Sequence, residues 1–232
     1  MNRSVVAAAI LLAALPVAAI SAPAPVNLSG IWSIKGYSPT LKPEGGGEVP
    51  LNRKGKAAYD KNKAMAAEGD FEFDEFKVAC LPPGLPRLML IDKPFEIIQR
   101  DKTVFFVHQE NRLPRRVYLG EALPTDPELM YDGYSVGQWE GDTLKVQSSG
   151  FRAGTLLDDS GLPHTTALKV GETYRLLDGG NTLEARFTIE DAGTFSKPWT
   201  AVAQYQKRPG YLIPEEVCAE RLKTTAPRNL QR

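Results

Sequence analysis

Apolar and polar positions alternate through most of the chain beyond residue 94, and that alternation predicts strands. In residues 135–151 (SVGQWEGDTLKVQSSGF) two alternating runs meet at Gly141-Asp142, a two-residue connection typical of a hairpin. This turn sets Trp139 opposite Leu144, Gly137 opposite Val146 and Ser135 opposite Ser148 on one face. Val136, Gln138, Glu140, Thr143, Lys145 and Gln147 share the other. The first face is apolar near the turn and small and polar at its far end, as expected for a packed barrel floor beneath a wetter mouth. A second hairpin joins residues 168–177 to 182–190 through Asp178-Gly179-Gly180-Asn181. There Val170, Glu172, Tyr174 and Leu176 fall opposite Ile189, Phe187, Ala185 and Leu183. Only Glu172 in that set is charged, so this face points inward.

Further strands are predicted at 27–34, 94–100, 103–109, 115–119 and 199–206. Between the first two lies an insertion, residues 35–94. It holds a Pro- and Gly-rich loop, one helix over 52–68 with Asn52 as N-cap and Gly69 as stop, and the irregular CLPPGLPR stretch at 80–87. The helix face formed by Leu51, Gly55, Tyr59, Asn62 and Met65 is expected against the barrel outside. The pattern as a whole predicts an all-β, antiparallel up-and-down barrel of about eight or nine strands with one helix in the insertion. In an up-and-down order the connections at 110–114, 141–142 and 178–181 share one short-looped end. Those at 101–102, 120–134, 150–167 and 191–198 share the other, where a ligand is expected to enter.

The start of the chain changes where this barrel is expected to reside. Arg3, the apolar run 5–15 and the small residues at 17–22 form the three parts of a secretory signal peptide over 1–22. Pro16 interrupts a run already too short to span a bilayer, and no later stretch is suited to a membrane span. The mature chain, residues 23–232, is thus expected as a single exported domain, most simply periplasmic. Its 28 basic and 28 acidic residues balance, so no field directs it to nucleic acid or an anionic membrane. Cys80 and Cys218 are its two cysteines, and in an oxidising compartment a disulfide is favoured over a catalytic thiol, which has no neighbouring histidine in sequence.

Few residues suggest chemistry. Glu172 on an inward face is either a ligand-binding or general-base carboxylate or one half of an internal ion pair. His164, in the mouth loop Gly161-Leu162-Pro163-His164-Thr165, suits proton transfer but equally an ordinary loop histidine. Asp158 and Asp159 near it match no recognised metal pattern, and no metal or other cofactor is expected; phosphate-loop and dinucleotide fingerprints are absent. Tyr131, Tyr134 and Arg152 fall at the same mouth. His108 and Arg115 are expected at the opposite end, near Trp139, as part of a closing polar cluster.

Gly30-x-Trp32 on the first strand resembles the opening of lipocalin-like (calycin) barrels. That likeness implies a tryptophan closing the barrel floor and an arginine after the last strand, here Arg208, packed upon it. The chain from about residue 52 to 218 also resembles a family of secreted bacterial proteins carrying CLPPG-PR, SVG-WEGDTL and PWT motifs, at 80–87, 135–144 and 198–200 here. The likeness implies export and a barrel and carries no reaction. The expected function is binding of a small apolar or aromatic molecule inside the barrel. Phe106, Tyr174, Phe187, Leu183 and Tyr131 would contact it, and Ser135 and Ser148 would supply polar contacts. Two alternatives accompany it. One is a cofactor-free lyase, isomerase or hydrolase using Glu172 or His164 for proton transfer and Tyr134 or Arg152 for anion stabilisation. The other is an envelope interaction protein.

Overall fold

The computed structural model describes residues 26–218 and Glu220; the signal peptide expected over 1–22 lies outside them. Nine strands close into a barrel in chain order. They are β1 (Gly30–Ile34), β2 (Phe95–Gln99), β3 (Thr103–His108), β4 (Pro114–Leu119), β5 (Tyr134–Glu140), β6 (Thr143–Ser149), β7 (Lys169–Leu177), β8 (Thr182–Glu190) and β9 (Trp199–Lys207). Both hairpin registers follow the alternation: Trp139 opposes Leu144 and Ser135 opposes Ser148, while Glu172 opposes Phe187 and Tyr174 opposes Ala185. Inward residues form the core, with Trp32, Phe95, Val104, Phe106, Leu144, Tyr174, Leu183, Phe187 and Tyr205 all fully buried.

The barrel is mixed rather than wholly antiparallel. β4 and β5 run parallel, with Val117 beside Ser135 and Leu119 beside Gly137, while the other neighbours are antiparallel. Residues 120–133 therefore travel the length of the barrel, as a parallel pair requires a crossover of about a dozen residues or more. Every strand direction before the crossover is reversed relative to the up-and-down expectation. The turn at 109–113 joins 35–94, 150–168 and 191–198 at the loop-rich end. The tight turns at 100–102, 141–142 and 178–181 close the other. A short-looped end and an elaborated end both exist, but 101–102 and 110–114 exchange places between them.

The insertion holds three helices where one was expected: α1 (Arg53–Ala67), α2 (Glu75–Ala79) and α3 (Arg87–Leu90). Asn52 caps α1, its Oδ1 accepting from the Gly55 N–H at 2.9 Å, and Gly69 follows its end with φ 77°. The anticipated face is the packed one, but its partners are loops at the loop-rich end. Tyr59 bonds Ser160 at 2.7 Å, Asn62 donates to the Gly161 carbonyl at 2.9 Å, and Gly55 lies against Thr194.

Two long-range ties complete the frame. Cys80 and Cys218 form a disulfide, Cα atoms 5.8 Å apart, joining the insertion to the C-terminal tail. Asn111 supports it by donating to the Cys80 carbonyl and accepting from the Cys218 N–H. Trp32 is fully buried and donates to the Leu28 carbonyl at 3.0 Å. The cation over its ring is Lys207, at 5.3 Å, and not Arg208, which lies over Tyr211. The register explains the difference, because Lys207 is the direct cross-strand partner of Trp32.

Candidate functional site

The parallel pair brings Arg115 into the barrel beside Glu172. Arg115 stands near the start of β4 and Glu172 near the start of β7, both at the loop-rich end, and their side chains meet across the interior. Arg115 is 3% exposed and Glu172 is 2% exposed. Arg115 Nη1 donates to Glu172 Oε1 at 3.0 Å, and Nη2 donates to Oε2. Tyr174 Oη donates to the same Oε1 at 2.8 Å. Arg115 Nη2 also lies 3.2 Å from the hydroxyls of Ser135 and Ser148, which are 2.8 Å apart. The small inward residues at the open end of the β5–β6 hairpin thus accommodate and bond a guanidinium. Phe106 stacks beneath it, 5.4 Å from Cζ.

Electrostatics within this cluster are strongly coupled. Burial opposes the Arg115 charge, but Glu172 and Tyr174 outweigh it and hold its pKa above the usual guanidinium range. Burial and the adjacent Glu172 carboxylate push the Tyr174 phenol well up. His108, at the end of β3 and 4% exposed, is pushed down to about 3, first by burial and then by Arg115. It is a neutral imidazole at physiological pH, its ring 5.2 Å from that of Phe95. Asp132, just ahead of β5, is partly exposed as a residue, yet its Oδ1 is sealed from solvent. Burial raises its carboxyl to about 6, against the pull of Arg115.

Among the described residues, the buried side-chain atoms lacking a partner concentrate here. His108 Nε2, Arg115 Nε, Asp132 Oδ1 and Trp199 Nε1 are unpartnered, and all belong to the loop-rich end; a fifth, Glu216 Oε2, lies in the tail. A buried polar atom without a partner costs about 1–3 kcal/mol, so this end is the place to look for a bound group.

Around the mouth, carboxylates tie loops together. Asp158 accepts from the Leu41, Ser160 and Leu162 amides and the Ser160 hydroxyl. Arg87, 1% exposed, is bidentate to Asp74 at 2.8 Å and also bonds Asp159. Asp191 gathers the Thr165, Gly193 and Thr194 donors.

The anticipated site residues separate into groups. Ser135, Ser148, Tyr174 and Glu172 meet at Arg115, with Phe106 and Phe187 buried beside them, while Leu183, opposite Leu176, is buried toward the short-looped end. His164 lies buried in the mouth loops, with Nε2 2.6 Å from the Thr155 hydroxyl and Nδ1 2.8 Å from the Thr165 carbonyl oxygen. Tyr134 falls on the outer face, stacked 5.1 Å from Tyr118 and bonded to Glu121. Arg152 lies over the Tyr131 ring at 4.7 Å. His108 and Arg115, expected beside Trp139 at the short-looped end, stand at the loop-rich end instead, because the parallel pair reverses their strands.

A groove of about 820 Å³ lies on the outer face of β6–β8. The crossover residues Leu123, Pro127 and Leu129 wall it, and Gly171 and Thr188 form part of its floor. No group of three or more His, Cys, Asp or Glu side chains arranged to hold a metal occurs among the described residues. Neither a family model nor any curated protein matches this chain.

Proposed function

We propose that this chain is an exported barrel that binds a small ring-bearing molecule at its loop-rich end. The observation that carries the reading is the buried polar cluster around Arg115, in which three side chains keep a sealed polar atom without a partner. A fold with a purely structural ion pair gains nothing from leaving such atoms unsatisfied. The rings of Phe95, Phe106 and Tyr174 pack on one another beside the same cluster and give it an apolar surround. The signal-peptide pattern over residues 1–22 and the motif resemblance support export.

Binding is favoured over acid/base catalysis by where the proton-transfer residues stand. Both Glu172 oxygens accept from Arg115, and Oε1 also from Tyr174, so a general base there would have to break an ion pair. Both ring nitrogens of His164 are engaged. Tyr134 and Arg152 are committed elsewhere.

A thermal-shift screen of the exported protein against small aromatic alcohols, amides, acids and hydrocarbons tests the reading. A ligand at 100 times its Kd stabilises by about 2.7 kcal/mol, a rise of several degrees in Tm. If none shifts Tm at millimolar concentration, the binding reading is wrong. Fractionation with mass spectrometry of the mature N-terminus should place the chain outside the cytoplasm, cut near residues 19–22.

A further inference from the structure

The groove over β6–β8 lies on the opposite face of the sheet from the Arg115 side chain. Its wall is the crossover, fixed where the Met130 N–H donates to the Gly150 carbonyl at 2.8 Å and the Arg152 N–H donates to the Met130 carbonyl at 2.9 Å. Leu129 on that wall is 48% exposed, so the groove has an open apolar side. Its floor holds Gly171, in the middle of β7. Among the described glycines, Gly171 alone has neither a left-handed φ nor a close neighbour, since a Cβ there would meet Thr188 at an ordinary 3.6 Å. A strand-interior glycine weakens its strand and commonly marks a place of close approach. Neither the turn chemistry nor the packing of β7 calls for this one; what it provides is depth in the groove.

Three charged residues line the same groove: Asp126 on the wall, and Lys169 and Glu190 on the floor. Lys169 and Glu190 are direct cross-strand partners, a placement that sets Cβ atoms about 5 Å apart. Farther along the same two strands Arg175 and Glu184, also directly opposed, form an ion pair at 3.8 Å. Lys169 and Glu190 form none with each other or with any described residue, and neither does Asp126. The groove thus presents one ammonium and two carboxylates, all uncommitted, beside an apolar wall.

We propose that this groove is a second binding site, for a short apolar peptide with free termini. Lys169 receives the peptide carboxylate, Glu190 and Asp126 receive its ammonium, and its side chains pack on Leu123, Pro127 and Leu129. With two carboxylates to one lysine, the free amine matters more than the free acid. The volume, about 820 Å³, falls within the range of ligand pockets.

Calorimetric titration of the full exported chain at neutral pH with leucyl-leucine, its N-acetyl form, its C-terminal amide and the doubly blocked form tests this. Leucyl-leucine should bind at least tenfold tighter than the N-acetyl and doubly blocked forms, and at least threefold tighter than the amide. Glu190→Gln should weaken leucyl-leucine at least fivefold and leave the N-acetyl form unchanged; Lys169→Met should weaken leucyl-leucine and leave the amide unchanged. Gly171→Leu, which fills the floor, should abolish binding. Blocked forms that match the free dipeptide overturn the charge assignment, and undiminished binding by folded Gly171→Leu overturns the groove as the site. If that variant does not fold, amide shifts of the wild type on titration locate the peptide. Changes at Gly171, Thr188 and Leu129 support the groove, and changes confined to interior residues such as Phe106 and Tyr174 overturn it. Absence of binding by leucyl-leucine at millimolar concentration overturns the proposal and leaves the reading of the loop-rich end untouched.

Discussion

Glu172 and Arg115 show how one inward charge depends on another. Removing one partner of a buried pair leaves an uncompensated charge, a loss of about 3–5 kcal/mol. Glu172→Ala should therefore destabilise by that order in urea denaturation. Arg115→Met with Glu172→Met should recover most of the loss, because neither charge is then stranded. His108 and Asp132 give opposite pH signatures. The folded pKa of His108 is lowered from 6.5 to about 3, so below 6.5 the unfolded chain takes up a proton that the fold excludes. Its contribution to stability falls with acidification, by at most about 1.4 kcal/mol per pH unit. The folded pKa of Asp132 is raised from 3.8 to about 6, so between those values the fold holds the extra proton and stability rises as pH falls. The two contributions oppose each other between about pH 4 and 6. Denaturation curves across that range should be flatter for the wild type than for either variant. Asp132→Asn should leave stability falling with acid, and His108→Phe should leave it rising.

At the scale of elements, α1 is held by a close approach. A Cβ at Gly55 would come 2.2 Å from the Thr194 carbonyl oxygen, so Gly55→Ala gains helix propensity but forces α1 away from the 191–198 loop. The strain should outweigh the propensity, with a net loss of about 1–3 kcal/mol in chemical denaturation and faster proteolysis within residues 45–75. The strand hairpins and this helix were legible in the sequence because their determinants are local: period-two alternation, Gly-Asp and Gly-Gly turns, an Asn cap. The β4–β5 pairing was not, since neighbouring strands of the barrel pair the same way by hydrophobic pattern whether parallel or antiparallel. One signal was available. The connection at 120–134 is much longer than a hairpin needs and long enough to return along the barrel.

For the whole molecule, the Cys80–Cys218 disulfide spans 138 residues. A loop of that length corresponds to about 5 kcal/mol in the chain-entropy account. Cys80→Ser with Cys218→Ser should lower stability by up to that amount, read as a fall in denaturation midpoint that matches reduction of the wild type. The tail keeps other ties, since Lys93 bridges Glu110 and Glu216. The double variant should therefore still fold to the same barrel by circular dichroism.

The sequence by itself determined the strands, the two hairpin registers, the inward parity of Glu172 and Tyr174, and the cysteine pair. Each of these depends on residues close in the chain or on a choice with a single partner. It also posed Glu172 as either a working carboxylate or half of an ion pair, without identifying the other half. Only the tertiary structure decided that, by running β5 parallel to β4 and so carrying Arg115 and His108 to the loop-rich end. A single change of strand direction moves a side chain from one end of a barrel to the other while leaving its inward parity untouched. The hydrophobic pattern records parity and is blind to direction. The end of the barrel at which Arg115 and His108 stand was accordingly a property of the closed sheet alone.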